Sequence, residues 1–175
     1  ICTSACLAGE VQKYIQRGMY EEACRSAKEY EEIFGKGNFF LELQDHGIPQ
    51  QQMVNQQLMR MHQETGIQLV ATNDVHYTYE TDADSHDILL CLQTGKKLTD
   101  TDRMRYEGGQ YYVKSEEEMK SLFPYALQAL ENTQKIADRC HVEIEFGHTK
   151  VPHFEVPEGY DSWTCLLYTS DAADE

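Results

Sequence analysis

The run Ile67-Gln68-Leu69-Val70-Ala71-Thr72 constrains the fold more than any other stretch of this chain. It is almost continuously apolar and is bounded by Gly66 on one side and by Asn73-Asp74 on the other. A run this short and this uninterrupted reads as a strand buried on both faces. Its flanks read as helices. Upstream, Pro49 opens a glutamine-rich helix that Gly66 closes. Downstream, residues 82–94 (DADSHDILLCLQT) form a second helical pattern, with Asp82 or Asp84 as its cap.

The rest of the chain keeps this rhythm. Residues 7–17 and 19–34 read as helices, the second carrying Tyr20, Ala23, Cys24, Ala27, Tyr30 and Phe34 at spacings of three and four before Gly35 and Gly37 end it. FFLEL (39–43) is a short strand. Residues 95–109 are polar and loop-like, and QYYVK (110–114) is strand-like. Ser115 and Glu118 stand three apart as a capping box, with a helix expected through Leu122. Pro124 leads into a final helix ending near Arg139. Strands alternating with helices imply an α/β layered fold; pattern alone does not separate a barrel from an open sheet. The stretch FGHTKVPHFEVPEGYDSW (146–163) reads as an extended linker.

With 175 residues, the chain is long enough for one domain with a real core. Thirty acidic against fifteen basic residues give a net charge of −15, which opposes a direct grip on nucleic acid. The one basic cluster, Lys96, Lys97, Arg103 and Arg105, reads as a solvated loop, with a phosphate contact as the lesser alternative. No apolar run approaches the roughly 20 residues of a membrane-spanning helix. The first residues, ICTSACLAGE, lack both a signal-peptide pattern and an initiating Met, so an internal start and a cytoplasmic setting are expected. Six cysteines without a CxxC pair fit reduced thiols.

The sharpest chemical feature is LVATNDVHY (69–77). Asp74 and His76 are two apart, so on an extended chain both side chains can face one site. They follow a buried strand, and a carboxylate with an imidazole suits zinc, manganese or iron. A capping aspartate beside a surface histidine explains the same residues, and two ligands are too few for a tight site. Other candidates have plainer explanations. Cys2 reads as a small buried residue on an incoming strand, and Cys24 and Cys91 as core. His46 reads as structural at a turn after a strand, His62 as helix filler, and His86 and Asp87 as packing and dipole partners at a helix start.

The segments TSACLAGE, FFLELQDHG, LVATNDVHY, SHDILLCLQTGK, RMRY, YYVKSEEEM and ENTQKIADRC together resemble the bacterial DNA polymerase III α-subunit family, in order and at similar spacing, over about residues 4–140. VPHFEVPEGYDSW resembles that family's crossing from its PHP (polymerase and histidinol phosphatase) domain towards the polymerase core. The resemblance implies a distorted β/α barrel, of which 1–146 would be the C-terminal part, followed by a linker at 147–164. The last eleven residues, CLLYTSDAADE (165–175), resemble translated sequencing adapter and are expected to be non-native.

In family members that keep their metals, His, Asp, Glu and Cys side chains hold up to three ions at one barrel mouth. Cys6, in S-A-C-L-A-G, and Asp74 and His76, in N-D-V-H, match three of those ligands; the remainder would lie upstream of this sequence. The resemblance implies zinc, manganese or iron in that cluster, and magnesium in a polymerase core elsewhere. It further implies DNA, deoxynucleoside triphosphates, a sliding clamp, a clamp loader and a proofreading subunit as partners, and no membrane. Two roles for the domain follow: a metal-dependent 3′–5′ proofreading exonuclease, or a metal-stabilised scaffold without turnover. A free-standing phosphoesterase such as a histidinol phosphatase is the alternative of a different class. A barrel cut in half exposes strand edges and core, so the 175 residues alone are expected to aggregate.

Overall fold

The computed structural model describes residues 1–149, 155–161 and 163–164. Its first unit, Ile1–Cys140, is built on three parallel strands. These are β1 (Cys2–Thr3), β2 (Phe39–Leu43) and β3 (Gln68–Ala71), hydrogen-bonded in the order β1-β2-β3. Cys2 pairs with Phe39, and Leu41 with Leu69. Helices α1 (Glu10–Gln16) and α2 (Tyr20–Phe34) connect the first two strands, and α3 (Pro49–Thr65) connects the second and third. After β3 come α4 (Ala83–Thr94), α5 (Glu116–Leu122) and α6 (Leu127–Ala137).

Strand alternation sorts the side chains into two faces. Phe39, Leu41 and Leu43 of β2, with Leu69 and Ala71 of β3, enter one core with Val11 and Ile15 of α1, Ala23 and Ala27 of α2, and Val54, Leu58 and Met61 of α3. The other face is polar along its centre. Glu42 accepts hydrogen bonds from the hydroxyls of Thr3 (2.5 Å) and Thr72 (2.5 Å) and from the amide of Gln44 (2.9 Å). One carboxylate thereby joins β1, β2 and the residue that follows β3. The free side of β3 is covered by α6, whose buried Asn132 donates to the Leu69 carbonyl at 2.8 Å. That bond occupies an acceptor an edge strand would otherwise expose.

Several elements lie where the sequence puts them. β2 spans residues 39–43, α3 begins at Pro49, and Gly66 closes it in the left-handed conformation. Ser115 and Glu118 form the reciprocal capping box. Three expectations need correction. The helix expected over 7–17 begins only at Glu10, because Gly9 N–H donates to the Cys6 carbonyl in a turn that precedes it. QYYVK forms no strand beyond an isolated bridge between Tyr77 and Tyr112. Its backbone groups are taken by the neighbouring loop: Asn73 binds the Gln110 and Tyr112 carbonyls, and His76 N–H binds the Tyr111 carbonyl. Finally, neither Asp82 nor Asp84 caps α4 through its side chain; Asp82 instead accepts from Tyr79 N–H and closes the single turn before the helix.

The second unit, His141–Glu175, contains a turn in which Tyr160 N–H donates to the Pro157 carbonyl at 3.1 Å. The expected adapter-derived tail at 165–175, and residues 150–154 and 162 of the expected linker, lie outside the described residues. Among the described residues, no helix is long and apolar enough to cross a membrane.

Candidate metal centre at the strand ends

Parallel strands deliver their carboxyl ends to one edge of the sheet, where α/β proteins commonly place ligand sites. Here that edge receives Cys6 after β1, His46 after β2, and Asp74 and His76 after β3. The two non-glycine residues with positive φ among the described residues also fall on this edge: Ala5 (φ 64°), directly before Cys6, and Asp74 itself (φ 43°). Strained backbone of this kind costs on the order of 1–3 kcal/mol and concentrates at functional sites.

His46 is buried and locked from both sides. Its Nε2–H donates to the Asn73 carbonyl at 2.9 Å, and its Nδ1 accepts from the Gln51 amide at 2.8 Å. A carbonyl only accepts and an amide nitrogen only donates, so these partners fix the neutral tautomer. The ring stacks on Tyr111 with centroids 3.9 Å apart. His46 is therefore a bolt between the ends of β2 and β3, in line with its structural reading.

His76 is exposed. Its Nδ1–H donates to the Asp74 carbonyl at 2.6 Å, leaving Nε2 as the open ring nitrogen. A backbone carbonyl on one ring nitrogen with the other left open is the usual arrangement of a metal-binding histidine. Cys6 and Asp74 are both partly exposed. Tyr106 links the group: its ring lies 4.3 Å from that of His76, 5.1 Å from His86 and 4.8 Å from Tyr111. Burial, then the negative charge of Asp74, then Cys6, push the Tyr106 hydroxyl above its ordinary pKa. Tyr111 is raised by burial first and then by Asp74, with Tyr106, Tyr77 and Cys6 adding to it. Cys6 and Asp74 thus act on the same two tyrosines, although they lie 68 positions apart in the chain.

The donors suit a divalent ion in chemistry: a thiol, a carboxylate and an imidazole with an open nitrogen. They fall short in number. Among the described residues, no three His, Cys, Asp or Glu side chains come close enough together to hold an ion by themselves.

Sequence reasoning passed over four contributors. His86 lies on α4 with its ring 5.6 Å from His76 and 5.3 Å from Tyr77, so it belongs to this edge as well as to its helix. Tyr106 and Tyr111 sit in segments, RMRY and YYVKSEEEM, that carried the family resemblance but suggested no role for the tyrosines. Glu42, between apolar neighbours in FFLEL, was legible only as a strand residue. Two plain readings change. His62 is more than filler, since its Nδ1–H donates to the Ile67 carbonyl at 2.7 Å. Arg103 does not belong to a solvated loop: its guanidinium is buried and grips Asp87 through two bonds of 2.5 and 2.6 Å, fastening the 95–109 loop to α4. That pairing holds the Asp87 carboxyl below the usual range. Lys96, Lys97 and Arg105 are exposed.

Residues 1–46 match the family model of the PHP domain. The chain is similar to the DNA polymerase III subunit alpha of Campylobacter jejuni, with 40% identity over 170 residues, covering 91% of this chain and 14% of the relative. It is also similar to the subunit alpha of Helicobacter pylori strain J99 (40% over 189 residues; 99% of this chain, 15% of the relative) and of Treponema pallidum (38% over 162 residues; 93% and 14%). The chain thus spans about one seventh of the length of these curated relatives. With identity near 40% across nine-tenths or more of its residues and a PHP match at its start, this chain belongs to the bacterial DNA polymerase III α-subunit family, as a segment of that subunit's length.

Proposed function

We propose that this chain is part of a cytoplasmic replicative DNA polymerase and that its strand-end site is one side of a metal-dependent 3′–5′ exonuclease that proofreads nascent DNA. The observation that carries the reading is that Cys6, after β1, and Asp74, after β3, both act on Tyr106 and Tyr111, whose rings also flank that of His76, at the carboxyl edge of the parallel sheet. Residues 1–146 would be the C-terminal part of a PHP barrel and 147–164 the connector to the polymerase core. The sheet supports a barrel: strand order 1-2-3 never reverses, so right-handed crossovers put the connecting helices on one face. The Thr3–Glu42–Thr72 face would then line the barrel interior.

Cys6, Asp74 and the Nε2 of His76 would hold zinc, manganese or iron together with ligands from upstream sequence. When bound, such ions acidify a coordinated water and neutralise the oxygens of a phosphodiester. The chain's own residues prepare the place. The Asp74 carbonyl fixes the His76 ring, His46 ties the β3 end to β2, and the Tyr106 and Tyr111 rings pack beside His76. DNA and nucleotides, a magnesium-dependent polymerase core, the sliding clamp, the clamp loader and a separate proofreading subunit belong to the proposal for the whole subunit.

A metal-stabilised scaffold without turnover would use the same donors, Cys6, Asp74 and His76. A free-standing phosphoesterase gains nothing from the relatives, whose polymerase name extends over 91–99% of the chain. The test uses the full-length subunit carrying this sequence beside an Asp74→Ala, His76→Ala double variant. The exonuclease reading expects two or more equivalents of zinc or manganese, and hydrolysis of mismatched 3′ ends, both lost in the variant. Metal without hydrolysis would leave the scaffold; no metal in the wild type would remove both readings.

A further inference from the structure

We infer that His86 and Tyr106 form a phosphate-recognition wall on the candidate site, binding the phosphoryl group of the 3′-terminal nucleotide through one imidazole N–H and one phenolic O–H. The inference rests on the exonuclease reading for its substrate, and on local geometry for its residues.

Tyr106 touches the open-nitrogen histidine of the site, His76, at 4.3 Å between ring centroids. His86 completes a triangle, 5.6 Å from His76 and 5.1 Å from Tyr106. The two residues reach this place from different elements. His86 comes from α4, which the Arg103–Asp87 pair fastens to the loop; Tyr106 comes from the far end of that same loop, three residues after Arg103. The Arg103–Asp87 pair, with Asp87 one residue after His86 and Arg103 three before Tyr106, thus ties together the two elements that carry them.

Both polar ends are unused. Neither the Tyr106 hydroxyl nor a ring nitrogen of His86 makes a hydrogen bond among the described residues, whereas His46, His62 and His76 each commit a nitrogen to a backbone carbonyl. Packing accounts for the rings and leaves the donors free. A phenolic hydroxyl can donate, which a phosphoryl oxygen requires. The chain carries net negative charge, and Asp74 lies beside the site, so phosphate recognition here needs neutral donors together with the metal.

The test measures binding of thymidine 5′-monophosphate to the full-length subunit in the presence of manganese, with thymidine as the phosphate-free control. Wild type is compared with Tyr106→Phe, His86→Asn and the double variant. Metal content and melting midpoint are recorded for each. Losing one hydrogen bond to a charged group weakens binding by about tenfold or more. The expected result is that weakening in each single variant, with metal content and melting midpoint unchanged and thymidine affinity unaffected. Hydrolysis of mismatched 3′ ends is followed in parallel. If the monophosphate binds and both variants weaken it while no protein hydrolyses DNA, the wall stands and the exonuclease reading falls. If wild type hydrolyses DNA and the variants bind the monophosphate equally well, the wall falls and the exonuclease stands. A wild type that does not distinguish the monophosphate from thymidine overturns the wall outright. Because Tyr106→Phe keeps the ring, a loss of affinity with an unchanged midpoint is not a packing effect.

Discussion

His46 donates from Nε2 to the carbonyl of Asn73, 27 positions away, at 2.9 Å. This bond joins the end of β2 to the residue directly before Asp74, so the candidate metal-binding segment is held in place by a histidine whose two ring nitrogens are both already committed. Replacing His46 by Phe keeps the ring that stacks on Tyr111 and removes both hydrogen bonds; replacing it by Ala removes the stack as well. Leaving the Asn73 carbonyl and the Gln51 amide unpaired costs about 1–3 kcal/mol for each buried group. His46→Phe is expected to destabilise by that order and His46→Ala by more. Both should speed amide exchange at His76, whose N–H is bonded to the Tyr111 carbonyl. Hydrogen exchange resolved to residues 72–78 checks this, and equal protection in wild type and His46→Phe would sink it.

Gly9 is required by space. A Cβ at this position would lie 2.1 Å from the Ser4 carbonyl oxygen and 2.7 Å from Oε1 of Gln12. The first of these is backbone and cannot swing aside. Gly9→Ala is expected to cost about 1–3 kcal/mol by overpacking and to displace Cys6, because the turn closes through the Cys6 carbonyl. Denaturant unfolding gives the first effect, and the thiol's reactivity towards an alkylating reagent gives the second.

Asn132 and Leu69 form a contact that a charge should break. Asn132→Ala leaves the Leu69 carbonyl without its donor, for about 1–3 kcal/mol. Asn132→Asp places an acceptor against an acceptor and should be worse at neutral pH than at low pH, where a protonated carboxyl can donate again. Midpoints measured at two pH values separate the two variants; identical pH behaviour would argue against the bond.

The Glu118 carboxyl is held down to about 2, first by the Tyr112 hydroxyl and then by the Ser115 N–H and hydroxyl. Its folded value is depressed, so its contribution to the start of α5 is complete above the ordinary carboxylate range and is lost as pH falls through the range towards about 2. The partner hydroxyl of Tyr112 is pushed up to about 12 by the same bond. Carbon-detected titration of Glu118 should show the low midpoint, and Glu118→Gln should remove the acid-dependent loss of Ser115 amide protection.

Filling of the helix-facing core is tested most directly at Leu58, which is fully buried on α3. Leu58→Ala should cost about 2–5 kcal/mol through lost burial and the cavity left behind. The change should spare metal content, because Leu58 lies on the helix face of the sheet and not at the strand ends.

The sequence by itself determined the elements whose causes are local. The apolar run before Asn73, Pro49 and Gly66 around α3, and the Ser115–Glu118 box each act within a few residues, so each was legible without a structure. Family membership was legible for a similar reason, since many short segments stand in order along the chain. The tertiary structure decided what depends on separation. The parallel register brings Cys6 and Asp74 to the same pair of tyrosines, and the Arg103–Asp87 pair ties the loop that carries Tyr106 to the helix that carries His86. QYYVK shows the same limit from the other side. Its residues favour a strand, but Asn73, His76 and Tyr77 claim its backbone groups, and a backbone donor or acceptor that is already paired cannot also join a ladder.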